Sequence, residues 1–290
     1  MMTSAKTRTA AGHRRAVGRV AGFLALCFGA CLFIFPFYDM VVGALQAEPD
    51  PSISGAFPSP NELSLTNFHS INERVPLLRA LFNSVVYTGG VILGTVIIGI
   101  LAGYALSQLR WRGRSLVFNL VLLTLIIPFQ LLMIPMYVLI VRGWGLADSY
   151  LGMILPFLVN STAVFIFRQF FMQLPEDMLD AARIDGAGEL RILTRIVLPL
   201  SKPAILTAVL VTFIGPWNEF LWPFLVTKKA EMQPLAVALA NYISAVAAST
   251  ANPFGAILAG AVVLAVPAVV LFVIFQRYFV ESETSTSLKE

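Results

Sequence analysis

Asp180-Ala181-Ala182-Arg183-Ile184-Asp185-Gly186-Ala187-Gly188-Glu189-Leu190-Arg191-Ile192-Leu193-Thr194-Arg195-Ile196-Val197-Leu198-Pro199 is a polar, basic stretch between two apolar segments. Upstream, Pro175 suits a first helical position, and Glu176 and Asp177 suit the positive end of a helix dipole. A helix is expected over 176–185, with Ala181 and Ala182 forming a low-profile patch. Gly186 falls where a helix stops in a left-handed residue. A second helix is expected from about Glu189, with Leu190, Leu193, Val197 and Leu200 on one apolar stripe and Arg191 and Arg195 on a polar face. Pro199 and Pro203 end it and turn the chain into the next apolar segment. The whole, about 175–203, reads as an amphipathic hairpin at a membrane surface. Taken alone, such amphipathy describes a membrane-parallel loop without a partner.

The rest of the chain is built for lipid. Apolar residues make up 58% and charged residues 12%, whereas a soluble domain carries about 25% charged. Mean hydropathy is +0.81. No Asp, Glu, Lys or Arg occurs in 80–109, 115–141, 149–167 or 232–276. A span takes roughly 20 apolar residues, since each helical residue rises about 1.5 Å through a core about 30 Å thick. Six spans are expected, at about 20–43, 81–106, 115–141, 149–168, 204–226 and 255–276. The fold class is therefore all-α and polytopic, with a membrane domain over 20–280 between short tails at 1–19 and 281–290. Leu235–Ala248 is too short to span, and Ser249-Thr250-Ala251-Asn252-Pro253 follows it, so an interfacial or surface segment is expected there.

Basic residues set the orientation. Lys6, Arg8, Arg14, Arg15, Arg19, Arg110, Arg112, Arg114, Arg168, Arg183, Arg191, Arg195, Lys202, Arg277 and Lys289 fall on one side of this topology. Arg74, Arg79, Arg142, Lys228 and Lys229 fall on the other. Both termini and the hairpin are thus expected in the cytoplasm. Trp111, Trp144 and Trp222 fall near span ends, as interfacial rings do. The net charge of +4 is a topology signal and gives no nucleic-acid surface, because no basic cluster is interleaved with aromatics.

The N-terminus has a basic stretch before an apolar one. The apolar run from Val20 is too long for a signal peptide and lacks a small-residue cleavage site, so an uncleaved first span is expected. Cys27 and Cys31 share one helix face inside it and read as small apolar residues. The first external segment, about 44–79, carries Pro49, Pro51, Pro58 and Pro60 with Ser52, Ser54 and Ser59, and reads as an extended surface loop. It and the second, about 227–254, are either docking surfaces for a substrate-delivery protein or plain solvated connections.

The run Asp180-Ala181-Ala182, three residues, Gly186, nine residues, Ile196, one residue, Leu198-Pro199 resembles the EAA loop of binding-protein-dependent ABC importer permeases, with Asp in place of the name-giving Glu. Further stretches are similar to the carbohydrate branch that includes the maltose-transporter G-type permeases and a glycerol-3-phosphate permease. These are Arg112-Gly113-Arg114, Ile134-Pro135-Met136-Tyr137, Gly145-Leu146-Ala147-Asp148, Arg168-Gln169-Phe170-Phe171, Ala182–Ala187, Trp217-Asn218-Glu219-Phe220-Leu221-Trp222-Pro223 and Phe275–Val280. Together they cover most of 80–280. The chain departs from that branch at its end, where Glu281 to Glu290 replace a glycine- and lysine-containing tail.

The resemblance implies a type I ABC importer permease in a bacterial inner membrane. It implies a second, homologous permease, two ATP-binding cassette subunits that bind ATP and Mg, and an extracytoplasmic solute-binding protein that delivers the small-molecule substrate. Asp180, Ala181, Ala182, Gly186, Ile196, Leu198 and Pro199 would carry the coupling to the ATPase. The residues agree: the chain contains no G-x-x-x-x-G-K-[ST] phosphate loop, and Gly186-Ala187-Gly188 is no dinucleotide fingerprint. Nor is there a His/Cys/carboxylate run with metal spacing; His13 and His69 are the only histidines. No catalytic residue and no cofactor of its own is expected.

Polar residues inside spans are costly in lipid and mark a cavity or a helix partner. Glu219, Asn218, Trp217, Tyr137 and Asn160 are the candidates for a solute path; interhelical hydrogen bonding is the plainer reading of each. Gln130, Asn119, Ser161 and Thr162 are further polar positions. Gly90/Gly94 and Gly99/Gly103 form small-xxx-small pairs that admit a neighbouring helix, in this chain or in a sister subunit. Stand-alone secondary transport would call for coupling carboxylates or an inverted repeat, and a purely structural membrane subunit is the third class.

Overall fold

The computed structural model describes residues 5–50, 52–246 and 253–287. The helices are α1 (Ala5–Leu45), α2 (Thr66–Arg74), α3 (Leu77–Ser107), α4 (Arg114–Leu123), α5 (Phe129–Tyr137), α6 (Tyr150–Ile154) and α7 (Ser161–Phe171). They continue as α8 (Glu176–Ile184), α9 (Glu189–Ile192), α10 (Leu198–Leu200), α11 (Lys202–Asn218), α12 (Leu221–Val226), α13 (Leu235–Val246) and α14 (Phe254–Ser287). Three segments are long and apolar enough to cross a bilayer unbroken, and three bent helix pairs bring the number of spans to as many as six. The chain divides into two compact units, one of residues up to Arg74 with those from Ile243, the other Val75–Tyr242.

In the first unit, Gly18–Leu45 and Phe254–Gln276 have lipid-spanning length. Their helices run on into both expected tails, to Ala5 and to Ser287, while residues 1–4 and 288–290 lie outside the described ones. The segment expected to be an extended loop is partly folded. Beyond its four prolines at 49–60, Thr66–Arg74 forms α2, with Asn67 and Ile71 buried. Asn67 Nδ2 donates to the carbonyls of Ala44 and Gln46, capping the end of α1. A Cβ on Gly255 would collide with that Asn67 amide.

In the second unit α3 is the central rod, and its glycines settle which helix they admit. A Cβ on Gly90 would meet Ile154, one on Gly94 would meet Leu158, and those on Gly99 and Gly103 would meet Phe167. The partner is therefore the bent α6–α7 pair of this same chain.

Three expected spans are not straight. The 115–141 segment bends by 96° between Ile126 and Phe129, where Pro128 removes a donor. The 149–168 segment bends by 51° before Ser161. The 204–226 segment is two helices, α11 ending at Asn218 and α12 starting at Leu221, and the third bent pair lies at its other end, where Glu189–Leu200 meets Lys202–Asn218 at 76°. No water competes for backbone groups in hydrocarbon, so each break must satisfy its own amides and carbonyls. Thr95 donates to the freed carbonyl of Phe157 (3.1 Å), and Asn160 Oδ1 accepts from the Ala163 amide (3.0 Å). Glu219 Oε1 accepts from the amides of Leu221 (3.0 Å) and Trp222 (3.2 Å).

Trp222 is not interfacial. It is fully buried with Tyr87, Val91, Met133, Ile140 and Met153, and its Nε1 donates to the Gly152 carbonyl (3.2 Å). Trp111 and Trp144 remain exposed. The expected surface segment 235–248 forms α13 as far as Val246 and buries Leu235, Val237, Ala238, Leu239 and Tyr242. Its first amide donates to Ser84 on α3. Residues 247–252, which include most of the turn expected after it, lie outside the described residues.

Candidate coupling hairpin and solute path

The hairpin forms as its turn residue dictates. After α8, the Gly186 amide donates to Arg183 O and the Ala187 amide to Ala182 O, both at 3.0 Å. Gly186 sits at φ +79°. This is the Schellman arrangement, in which a left-handed residue past the helix end lets two backbone bonds satisfy the last carbonyls. A side chain there would be strained although the space around it is open.

The second arm departs from the expected stripe. Leu190 is 71% exposed and Leu200 45%, while Ile192, Leu193, Val197 and Ser201 are buried. Leu193 and Val197 keep to the stripe, and the π-helical turn over Leu193–Val197 moves the buried face beyond them from Leu200 to Ser201. One extra residue in the turn rotates the face, so the buried line runs at Leu193, Val197 and Ser201. Ile192, Leu193 and Val197 join Leu179 of α8 and Ile100, Tyr104, Phe167 and Phe171 in one apolar cluster. The hairpin is thus packed onto the helices rather than floating beside them.

Outward it presents Asp180, Ala181, Gly186 and Pro199 exposed, with Ala182, Ile196 and Leu198 half-buried. Ile184, 86% exposed, and Leu190 flank the bend as two bare apolar side chains. The sequence reading passed over Ile184, and the signal for it was an isoleucine in a polar run, next to the helix stop. Arg183 bonds Asp180 through Nη1 (2.8 Å) and Glu189 through Nε (2.9 Å), bridging the two arms across the bend. Glu189 also accepts from the Tyr104 hydroxyl of α3. The Arg183 hydrogen bond, assisted by the one from Tyr104, holds the Glu189 carboxyl below its ordinary range against the opposing effect of burial. A cleft of about 360 Å³ opens beside this network, lined by Arg110, Arg114, Glu176, Asp180 and Arg183 among others.

The path candidates separate into two kinds. Asn160 and Glu219 are half-buried and spend their acceptors on helix starts. Trp217 is buried with its ring stacked on Phe213 at 5.4 Å. Asn218 is exposed, with its amide donating to Ile214 O (2.9 Å), and Tyr137 is half-exposed. Two buried hydroxyls of α3 are absent from the sequence candidates. Those of Tyr87 and Thr88 are buried without a hydrogen-bond partner, and Tyr87 is within electrostatic reach of Glu219.

A nearby turn is closed by Asp148, whose backbone takes φ +49°. Its carboxylate accepts from the Lys228 (2.6 Å) and Lys229 (2.8 Å) amides, tying the 145–148 loop to the chain beyond α12.

Three unbroken lipid-length helices, bent helix pairs and a packed amphipathic hairpin give the architecture of a polytopic membrane protein. The chain belongs to the family described as binding-protein-dependent transport system inner membrane component, whose model matches residues 95–282. It is 33% identical over 276 residues to the arabinooligosaccharides transport system permease protein AraQ of Bacillus subtilis, covering 94% of this chain and 96% of that protein. It is 36% identical over 262 residues to the sn-glycerol-3-phosphate transport system permease protein UgpE of Yersinia pestis, covering 88% and 92%. A crystal structure of a bacterial ABC transporter involved in the import of the acidic polysaccharide alginate contains a chain with the same fold. That chain aligns at a TM-score of 0.79 and 24% identity over 91% of this chain and 97% of its own. The protein is a membrane-spanning permease subunit of an ABC importer.

Proposed function

We propose that this chain forms half of the pathway through which an ATP-driven importer takes up a sugar or oligosaccharide. A second, homologous permease supplies the other half, and an extracytoplasmic solute-binding protein delivers the solute. Two ATP-binding cassette subunits bind ATP and Mg and perform the hydrolysis; this chain does no chemistry and holds no cofactor. Both termini and the hairpin face the cytoplasm, in keeping with the distribution of basic residues.

The observation that carries the reading is the hairpin itself: bent at a left-handed Gly186, rigid by packing, and bare at Ile184 and Leu190. Exposed apolar side chains beside a charged rim suit a protein partner. Asp180, Ala181, Ala182 and Gly186 would meet the ATPase together with Ile196, Leu198 and the exposed Pro199 of the second arm, of which Ile196 and Leu198 also pack against the membrane helices. Closure of the ATPase dimer would then move the hairpin with α7 and α11, which continue from its two ends, and switch the cavity between sides.

Along the path, Asn218 and Tyr137 are placed to hydrogen-bond or stack with a sugar. Glu219, Asn160 and Trp217 shape the breaks around it. None of these five is a cation, and a phosphate ester calls for cationic donors, which favours a neutral sugar over glycerol phosphate. Uptake of labelled oligosaccharides and of glycerol 3-phosphate, measured with wild type and Gly186→Leu in the assembled transporter, tests both points. Sugar uptake by wild type and its loss in a still-assembled Gly186→Leu complex is expected. Normal uptake by the variant would refute the lever, and uptake of glycerol 3-phosphate alone would refute the sugar.

A further inference from the structure

The hairpin is continuous in sequence with α7 and α11, but α3 has no covalent link to it. Apolar packing joins them, through Ile100 and Tyr104 against Leu179, Ile192 and Leu193, and such packing tolerates sliding. A directional contact is superimposed on it. The Tyr104 hydroxyl donates to Glu189 Oε2, and Glu189 is clamped from the other arm by Arg183 Nε and Nη2. The Tyr104 ring is itself held edge-on to Phe171 at 6.2 Å. One carboxylate therefore sets both the bend across Gly186 and the seat of the hairpin on α3.

We infer that Tyr104 is a positioning residue that locks α3 to the hairpin, so that α3 travels with it when the ATPase moves. The inference rests on the hairpin being the ATPase seat. Its consequence is mechanical. Gly90, Gly94, Gly99 and Gly103 hold α3 tightly to the α6–α7 pair, and the upper half of α3 carries Tyr87 in the cluster around Trp222. A locked α3 delivers the hairpin's displacement to the broken-helix region where α11 ends. Without that contact α3 follows through apolar packing alone, slides against the hairpin, and part of the displacement is lost between the two.

The test uses the full transporter carrying this chain, with Cys27 and Cys31 changed to Ser. Spin labels are placed at Leu93→Cys on α3 and Thr194→Cys on the hairpin, both exposed positions. Distance distributions are recorded nucleotide-free and after trapping with MgATP and vanadate. With Tyr104 present, the distance between the labels is unchanged by trapping. In Tyr104→Phe, which keeps the ring, the distribution broadens and its mean shifts on trapping by on the order of 1–2 Å, the size of a helix shift at an interface. Glu189→Ala gives the same shift, and the double variant adds nothing to it. A Tyr104→Phe distribution identical to that of the parent in both states overturns the lock, as does a trapping-induced change in the parent itself. A third label on the ATPase separates the underlying reading: a hairpin label that never comes near it refutes the seat and leaves the α3–hairpin distances to be judged by themselves.

Discussion

Substituting Gly103 by alanine perturbs the α3–α7 seam at one methyl group. The new Cβ would stand 2.7 Å from Phe167 Cβ and 3.0 Å from the Arg168 amide nitrogen. Ordinary carbon contacts lie at about 3.5–4.0 Å, so the two helices must part by roughly 1 Å. The obstacle is α7 backbone and a Cβ, which no rotamer change can move aside. Overpacking of this kind costs about 1–3 kcal/mol, against a gain of up to ~1 kcal/mol from replacing a mid-helix glycine. Gly89 lies on the same helix with nothing within 4 Å of its Cβ position, so Gly89→Ala collects the gain without the clash. The two variants should differ by about 2 kcal/mol, or about 4–8 °C in melting temperature on the scaling for domains of about 150–250 residues. Thermal unfolding of the purified transporter, read by size-exclusion recovery after heating, measures the difference. Equal melting of the two variants, or a more stable Gly103→Ala, would refute the claim that these glycines serve the intrachain seam.

Three further outcomes follow from the contacts. Glu219→Gln keeps an acceptor for the Leu221 and Trp222 amides and should retain stability, whereas Glu219→Ala loses the cap at a cost of about 0.5–2 kcal/mol. Uptake that fails in Glu219→Gln while the protein stays stable would assign the charge to the path. Trp222→Phe leaves the buried Gly152 carbonyl without its donor and should destabilise the second unit by about 1–3 kcal/mol, seen as a lower melting temperature with assembly intact. The lowered Glu189 carboxyl makes a stabilising contribution that is complete above the ordinary carboxylate value of 4.5 and is lost as pH falls through the folded value below it. Glu189→Gln should therefore lower stability at neutral pH and flatten its decline in acid, in melting curves taken across that range.

How much of this was legible in sequence depends on the kind of signal. Charge-free runs located the lipid-length segments, and Gly186 with its flanking carbonyls announced the bend, because both are local properties. The breaks were harder. Asn160 and Glu219 stood out as polar residues in apolar runs and were read as path candidates, yet each is a cap where a helix restarts. A polar residue in hydrocarbon satisfies either a solute or a backbone, and sequence alone does not say which. The Leu190–Leu200 stripe holds at Leu193 and Val197 and breaks at Leu200, because a π-turn changes the period and nothing in a 3.6-residue pattern foretells the insertion. Trp222 reads as an interfacial ring from its place near a span end, because its neighbours across the bend, Met133 and Met153, are far away in sequence. The partner of the glycine pairs needed three-dimensional contacts for the same reason.

The central claim is that the outer face of the hairpin is gripped by the ATPase. Cysteine at Ala181, in a chain with Cys27 and Cys31 replaced by Ser, should cross-link to the ATP-binding subunit in membranes containing the whole transporter, and the yield should change when MgATP is added. Failure of Ala181→Cys to cross-link, with Lys228→Cys cross-linking to that subunit instead, would place the grip on the opposite side of the bilayer and contradict the account.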